Sequence, residues 1–455
     1  MRLVKSTLTA LLLSSAMTLP AFADNPLLDS DFWKEADLAK VEAAVAEGAD
    51  ATEKGEGNYT PLTRAAYADA PIEVIDYLIA QGADVNRPGH DERPAFMWAA
   101  RGGSVALLKH LIEKGADPEV EDYSGRNSLA FAAFGQEDLE VLKFLAEDLA
   151  LDPETLDRAG RNAALSAAYY NTSLDAVEYI SSVSDMGLRA DDGKDAFMLA
   201  AYRNRSVDVV RVLMNISEDR FARDEDGANA MQLAAYRGDV DKIAFLIEAG
   251  FDPADTAAES GRDALSVAAY RNEAEVLQLL IDAGLDVNRT DAEGRTPIFY
   301  AAQRNSPEVV AMLLEAGAKP DMADEHGTTP LLVAAERERK GAEEIVTLLA
   351  EAGADLTTTD EHGLNGLLAV VDAGRGAEAV QRFLDAGVDV NAVNRDLMSP
   401  LMLAALKGSA PEVVTMLLDA GADVTLADDF GDTAADMIAE NVNLANTDAA
   451  KRLVQ

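Results

Sequence analysis

Tyrosine and arginine recur in register along this chain, and they are its most promising recognition chemistry. Alanine pairs return at Ala65-Ala66, Ala99-Ala100, Ala132-Ala133, Ala167-Ala168, Ala200-Ala201, Ala234-Ala235, Ala268-Ala269, Ala301-Ala302, Ala334-Ala335 and Ala404-Ala405. The residue after the first eight pairs is, in order, Tyr67, Arg101, Phe134, Tyr169, Tyr202, Tyr236, Tyr270 and Gln303. One position further on stand Arg203, Arg237, Arg271, Arg304 and Arg337, in five successive units. Rigid phenol rings and planar guanidinium forks supply much of the energy of protein interfaces. The same pattern also fits a structural ladder in which each tyrosine packs on the next unit and each arginine pairs with a nearby carboxylate. Spacing alone leaves both readings open.

Reactive chemistry is much thinner. The histidines are His90, His110, His326 and His362, and none stands four residues from another as in a helical metal motif. There is no Gly-x-Ser-x-Gly elbow, phosphate-binding loop or dinucleotide fingerprint. With 81 acidic residues, close carboxylate pairs arise by chance and mark no acid-base site. The run Asp224-Glu225-Asp226 lacks the spacing of a calcium loop and reads as a solvated acidic face. No cysteine is present, which removes disulfides, thiolate nucleophiles, iron-sulfur clusters and cysteine-based zinc sites. The expectation is a protein that is not an enzyme and has no cofactor.

The elements that position the stripe follow from a second period. Gly-Ala-Asp or a variant recurs at Gly48, Gly82, Gly115, Gly250, Gly284, Gly317, Gly353, Gly387 and Gly421, mostly 33 to 35 residues apart or at multiples of that interval. A turn of the form Asp-x-x-Gly precedes many of the alanine pairs, as at Asp122 to Gly125, Asp157 to Gly160, Asp224 to Gly227, Asp291 to Gly294 and Asp324 to Gly327. Thr-Pro follows at Thr60-Pro61, Thr296-Pro297 and Thr329-Pro330, a capping hydroxyl and a preset φ for a helix start. Val309, Val310, Met312, Leu313 and Leu314 after Ser306-Pro307 have the spacing of a buried helix face with its own cap. Glycine then ends that helix in a left-handed conformation.

This combination resembles the ankyrin-repeat family, whose unit is a β-turn and two antiparallel helices. The resemblance implies an all-α ankyrin-repeat solenoid of about thirteen repeats, spanning the chain after its leader. An N-terminal capping repeat is expected over 24–55, internal repeats over 56–427 and a C-terminal capping repeat over 428–455, ending in a short polar helix. Departures at Ala150 to Asp152, Ser181 to Gly187, Glu336 to Ala342 and Val370-Val371 mark places of irregular stacking. Helices spaced ~10 Å apart would make an arc on the order of 120 Å long. The turn tips of neighbouring repeats would then stand ~10 Å apart, so His326 and His362, in equivalent Asp-Glu-His-Gly turns, are expected to be solvated and too distant to share zinc. The family also implies that the stripe of Tyr67, Phe134, Tyr169, Tyr202, Arg203, Tyr236, Arg237, Tyr270, Arg271 and Arg304 closes the first helices on a concave, partner-binding side.

Charge and address complete the reading. A net charge of −42, from 39 basic and 81 acidic residues among 455, repels nucleic-acid phosphate and anionic membrane surfaces and favours a basic protein partner. Arg2 and Lys5, an apolar stretch through Met17, Pro20 and Ala21-Phe22-Ala23 predict a signal peptide over 1–23, with Asp24 as the mature N-terminus and a periplasmic or secreted location. No later stretch is apolar enough to insert in a membrane. A monomer that binds a protein, as adaptor, chaperone or immunity-type binder, is the expected function. A structural envelope protein whose tyrosines contact polysaccharide is the alternative.

Overall fold

The computed structural model describes residues 25–271, 274–337, 339–408 and 410–453. The expected signal peptide and its junction with Asp24 lie outside the described residues. Among the described residues the secondary structure is helical, and β-pairing is confined to isolated bridges such as Thr359 with Asn365. None of these helices is long and apolar enough to cross a membrane. The described residues divide into two compact units, one of 25–132 and 138–152 and one of 133–137 and 153–453.

Residues 291–318 of the second unit show how one repeat is built. The Asp291 carboxylate accepts the amides of Glu293 and Arg295, each at 2.9 Å, which fixes the turn before a helix begins at Pro297. Helix Pro297–Arg304 buries Ile298 through Ala302, and the alanines there are fully inaccessible, so the first helices of successive repeats approach with no room for a larger side chain. Enlarging such an alanine would overpack the stack by ~1–3 kcal/mol. Helix Pro307–Glu315 buries Val309, Val310 and Leu313, while Met312 and Leu314 stay partly exposed. It stops where Gly317 takes φ +92°, with Ala318 N–H bonded to Leu313 C=O at 2.9 Å and Gly317 N–H to Leu314 C=O at 3.0 Å.

Capping follows the sequence pattern unevenly. Thr60 and Thr329 accept the amides of Thr63 and Leu332, at 3.2 and 3.3 Å. The Thr296 hydroxyl is buried without a hydrogen-bond partner, and Ser306 makes no cap bond although Pro307 opens its helix as expected. Elsewhere Asn162, Asn229, Asn365 and Ser399 take the capping role, so polar type matters more than the Thr-Pro pair.

Two polar ladders tie repeat to repeat. At the turns, one backbone N–H reaches the preceding tip: Asp191 to Ala159 C=O (3.0 Å), Ala292 to Ser260 C=O (3.0 Å), Glu325 to Glu293 C=O (2.9 Å) and Glu361 to His326 C=O (3.0 Å). Behind the first helices, buried or half-buried side chains donate to carbonyls at the end of the preceding helix. Asn171 serves Ala133 and Gln136, Asn204 serves Ala168 and Asn171, and Arg337 serves Ala302 and Asn305. Where Gly238 stands in the asparagine register, Lys242 reaches over from the second helix to Ala201 and Asn204 instead. Such donors satisfy carbonyls that a helix end leaves without intrahelical partners.

The irregular places have local causes. In the first unit, 3-10 turns Pro26–Leu28 and Asp31–Glu35 stand where a first helix would, held by Trp33 Nε1 donating to Leu27 C=O at 3.0 Å. Its last helix, Leu139–Lys143, runs into a π-turn over Phe144–Asp148, and Ala150 takes the left-handed position, φ +49°, that glycine fills elsewhere. In the second unit, helix Leu174–Val183 ends on extended Ser184, with Asp185 N–H held by the Glu154 carboxylate at 2.7 Å. Val370 and Val371 are buried despite replacing alanines, and Gly366 admits the ring of Phe383, whose Cε1 would lie 2.1 Å from an added Cβ. Helices Ala434–Glu440 and Asp448–Leu453 close the described chain, the last burying Ala449, Ala450 and Leu453.

Candidate protein-binding site

In the second unit the stripe residues come together side by side. The Phe134 ring lies 4.5 Å from Tyr170 and 6.1 Å from Tyr169, Tyr169 lies 6.2 Å from Tyr202, and Tyr202 lies 6.1 Å from Tyr236. The last two steps share an interplanar angle of 33°, the mark of one rotamer repeated in successive repeats. Tyr270 turns instead edge-on to Tyr300, at 6.0 Å and 81°. Tyr67 belongs to the first unit, where it meets Trp98 edge-on at 5.6 Å, hydrogen-bonds Arg101 and is 48% exposed.

The arginines stack rather than pair. Arg203 lies over Tyr169 and Tyr170 (5.7 and 5.0 Å), Arg237 over Tyr202 (5.6 Å), Arg271 over Tyr236 (5.3 Å) and Arg304 over Tyr270 (5.2 Å). Arg271 Nη1 also donates to the Tyr236 hydroxyl at 2.7 Å. Among the described residues no carboxylate lies within ion-pair distance of these four guanidinium groups, which corrects the ladder of arginine-carboxylate pairs set out above. Each arginine is thus held over the tyrosine of the preceding repeat, a contact worth ~0.5–1 kcal/mol at an exposed site, and keeps fork donors for a partner. Arg237, Arg271 and Arg304 are exposed, while Tyr169, Tyr202, Tyr236 and Tyr270 are half-buried. Partial burial pushes the Tyr169 hydroxyl above its ordinary value, so it stays a neutral donor.

Beside the stripe lies a groove of about 520 Å³ walled by Tyr202, Tyr236, Gln232, Leu233 and Val267 and rimmed by turn residues. Asp192, Asp224, Asp226 and Glu259 on that rim outnumber Lys194 and Arg262. Lys194 bridges Asp224 at 3.0 Å and Asp192 at 3.1 Å; burial opposes its charge, but the two carboxylates win and raise its pKa. Asp226 and Glu259 are left to give the rim its negative sign. A second hollow of about 270 Å³ continues from Tyr236 to Tyr270 and Tyr300. There the Tyr300 hydroxyl donates to Asp291, and burial first, then that anion, drives its pKa far upward. Tyr170 stands at the register position that arginine fills in the following units and escapes the pattern for that reason; Tyr300 precedes its alanine pair and lies outside the stripe's two positions, and the turn acids read in the sequence as a solvated face rather than as the rim of a groove.

His326 and His362 are not where helix spacing put them. Their rings are 5.9 Å apart, because the Glu361 N–H bond to His326 C=O draws the two turn tips together. The expected ~10 Å gap is therefore wrong at the tips; helix separation governs the helices, and backbone hydrogen bonding governs the turns.

Comparison with known proteins agrees with the repeat anatomy. A family model of ankyrin repeats in three copies matches residues 62–157, 164–257 and 265–360, and a model of many such copies matches 384–438. A palmitoyltransferase of Lachancea kluyveri is 42% identical over 59 residues, 13% of this chain and 8% of that protein. A protein of Acanthamoeba polyphaga mimivirus, named for its ankyrin repeats, is 29% identical over 103 residues, 22% of this chain and 64% of its own length. An E3 ubiquitin-protein ligase of Caenorhabditis elegans is 30% identical over 108 residues, 24% of this chain and 4% of that one. The chain thus spans less than two thirds of each of these relatives. Ankyrin repeats are scaffolds for protein-protein interaction and are generally non-catalytic. Matched by repeat models over most of its length, the chain belongs to the ankyrin-repeat family.

Proposed function

We propose that this protein acts after export as a non-catalytic monomeric adaptor, chaperone or immunity-type binder for a basic protein in the periplasm or outside the cell. The observation behind the reading is the run of Phe134, Tyr169, Tyr202 and Tyr236 with arginines stacked on its rings, next to a groove with an acidic rim. Stacking orders these side chains before any partner arrives, which lowers the entropy lost on binding. The rim then selects for lysine and arginine on the partner, and a chain of net charge −42 speeds their encounter. Polysaccharide contact is less favoured, because sugars stack on open ring faces and here arginines cover the faces of Tyr169, Tyr202, Tyr236 and Tyr270.

The test is capture from an extract of the cell envelope on the immobilised chain 24–455, beside the Tyr236→Ala/Arg237→Ala variant. A basic protein retained by the first, lost by the second and released by raised salt is expected. A partner retained equally by both would place the site elsewhere, and retention of polysaccharide alone would favour the envelope reading.

A further inference from the structure

We propose that the turn tips at 324–327 and 360–363 form a divalent transition-metal site, with His326, Glu361 and His362 as ligands and zinc as the ion that their donors suit. One ligand atom from each residue falls within 4.8 Å of the other two. Glu361 Oε1 is the shared point, 2.7 Å from His326 Nδ1 and 3.6 Å from His362 Nε2. A tetrahedral zinc ion with bonds of ~2.0–2.1 Å holds its ligand atoms roughly 3.3 Å apart. The second separation is close to that already, and the first reaches it by a small rotation of two exposed side chains. The two imidazoles are borderline nitrogen donors, and with one carboxylate they favour zinc over calcium or magnesium, which take oxygen ligands.

The backbone holds the ligands in place before an ion arrives. Glu361 N–H is bonded to His326 C=O at 3.0 Å, and the turn amides of His326 and His362 are held by Asp324 and Asp360 at 3.0 and 2.9 Å. The ligand set therefore spans two adjacent repeats, and an ion bound there clamps one turn tip to the next. The surroundings already attract a cation. Glu325 adds a carboxylate oxygen 3.6 Å from His326 Nε2, and the exposed Arg395 guanidinium rests on the His362 ring, with Nη2 2.9 Å from Nε2. Arg395 is the ion's competitor and must swing aside. Three protein ligands leave one position for water.

The site stands apart from partner binding and is tested on the mature chain alone. Zinc is titrated near neutral pH against a chromogenic chelator, with millimolar calcium and magnesium present to occupy ordinary carboxylates. Wild type is expected to bind one zinc ion per chain, and the double variant His326→Ala/His362→Ala to bind it at least about tenfold more weakly, the lower end of what losing a mere supporting contact costs. Arg395→Ala should tighten binding severalfold. Zinc should also shift the imidazole proton resonances of His326 and His362, assigned from the single variants, and leave those of His90 and His110 in place. Unchanged zinc affinity in the double variant would mean adventitious carboxylate binding and overturn the proposal, as would weakened binding in Arg395→Ala. These residues lie at exposed turns, and a thermal melt without metal checks that each variant folds.

Discussion

Replacing Lys242 with methionine should unfasten one repeat from its neighbour. The Lys242 side chain is 2% exposed, and its ammonium donates to Ala201 C=O at 3.0 Å and Asn204 C=O at 2.8 Å, with Asp239 at 3.3 Å. Burial pulls its pKa below the ordinary 10.5, while the Asp239 carboxylate works to keep the charge. Methionine preserves the aliphatic stem and removes the donor, leaving two carbonyls unserved, while the Asp239 carboxylate keeps the Lys242 backbone N–H and its solvent contact. An unsatisfied buried acceptor costs ~1–3 kcal/mol, and the relief of a buried charge offsets part of that, so a net loss of about 3 kcal/mol is expected. Because a repeat array need not unfold in one step, the assay is hydrogen exchange of the amides in 196–248 alongside the thermal melt. Exchange unchanged in Lys242→Met would refute the reasoning.

Other outcomes follow from the same contacts. Burial raises the Asp263 carboxyl above its ordinary 3.8, so the native state favours its protonated form, and the penalty is absent at low pH and grows as pH rises through the raised value. Asp263→Asn keeps a capping oxygen and gains an N–H donor of the kind Asn162 aims at Asp185 C=O, so it should stabilise by ~1 kcal/mol near neutral pH, with the gain fading below about pH 4; an equal gain at all pH values would exclude burial as the cause. Deleting 428–455 should expose Leu401, Met402 and their neighbours and cause aggregation, measured by light scattering; a monomer with an unchanged melt would show the segment to be dispensable. Amides between Leu149 and Gly193 should exchange before those of 291–318, since glycine-ended junctions are missing there; uniform exchange would contradict this.

Much of the fold was legible because the repeat is written in residues with few alternatives. Alanine pairs mark helices that nearly touch, and Gly317 and its equivalents mark chain reversals that other residues resist. The stripe was legible as a register but not as a set of contacts. Whether Arg237 meets a carboxylate or the Tyr202 ring depends on the offset between neighbouring repeats, which the period does not contain. The approach of His326 to His362 was misjudged for a similar reason, since a backbone hydrogen bond sets that distance. Lys242 was invisible because it acts from outside the register of the asparagines it replaces. The Thr296 hydroxyl, expected to cap its helix, is buried without a partner, and nothing in the structure explains it.

The most direct test of the proposed function is a binding isotherm of the captured partner against wild type and Tyr236→Ala/Arg237→Ala, with a melting curve of each chain. Tyr236 contacts Tyr202 and Arg271, and Arg237 lies over Tyr202, at a half-exposed face, so truncation should lower stability by about 1 kcal/mol per side chain. If the stripe is the recognition surface, affinity falls roughly thirtyfold or more, equivalent to ~2 kcal/mol, while the fold persists. Unchanged affinity with a lowered melting temperature would show that tyrosine and arginine here only hold the repeats together.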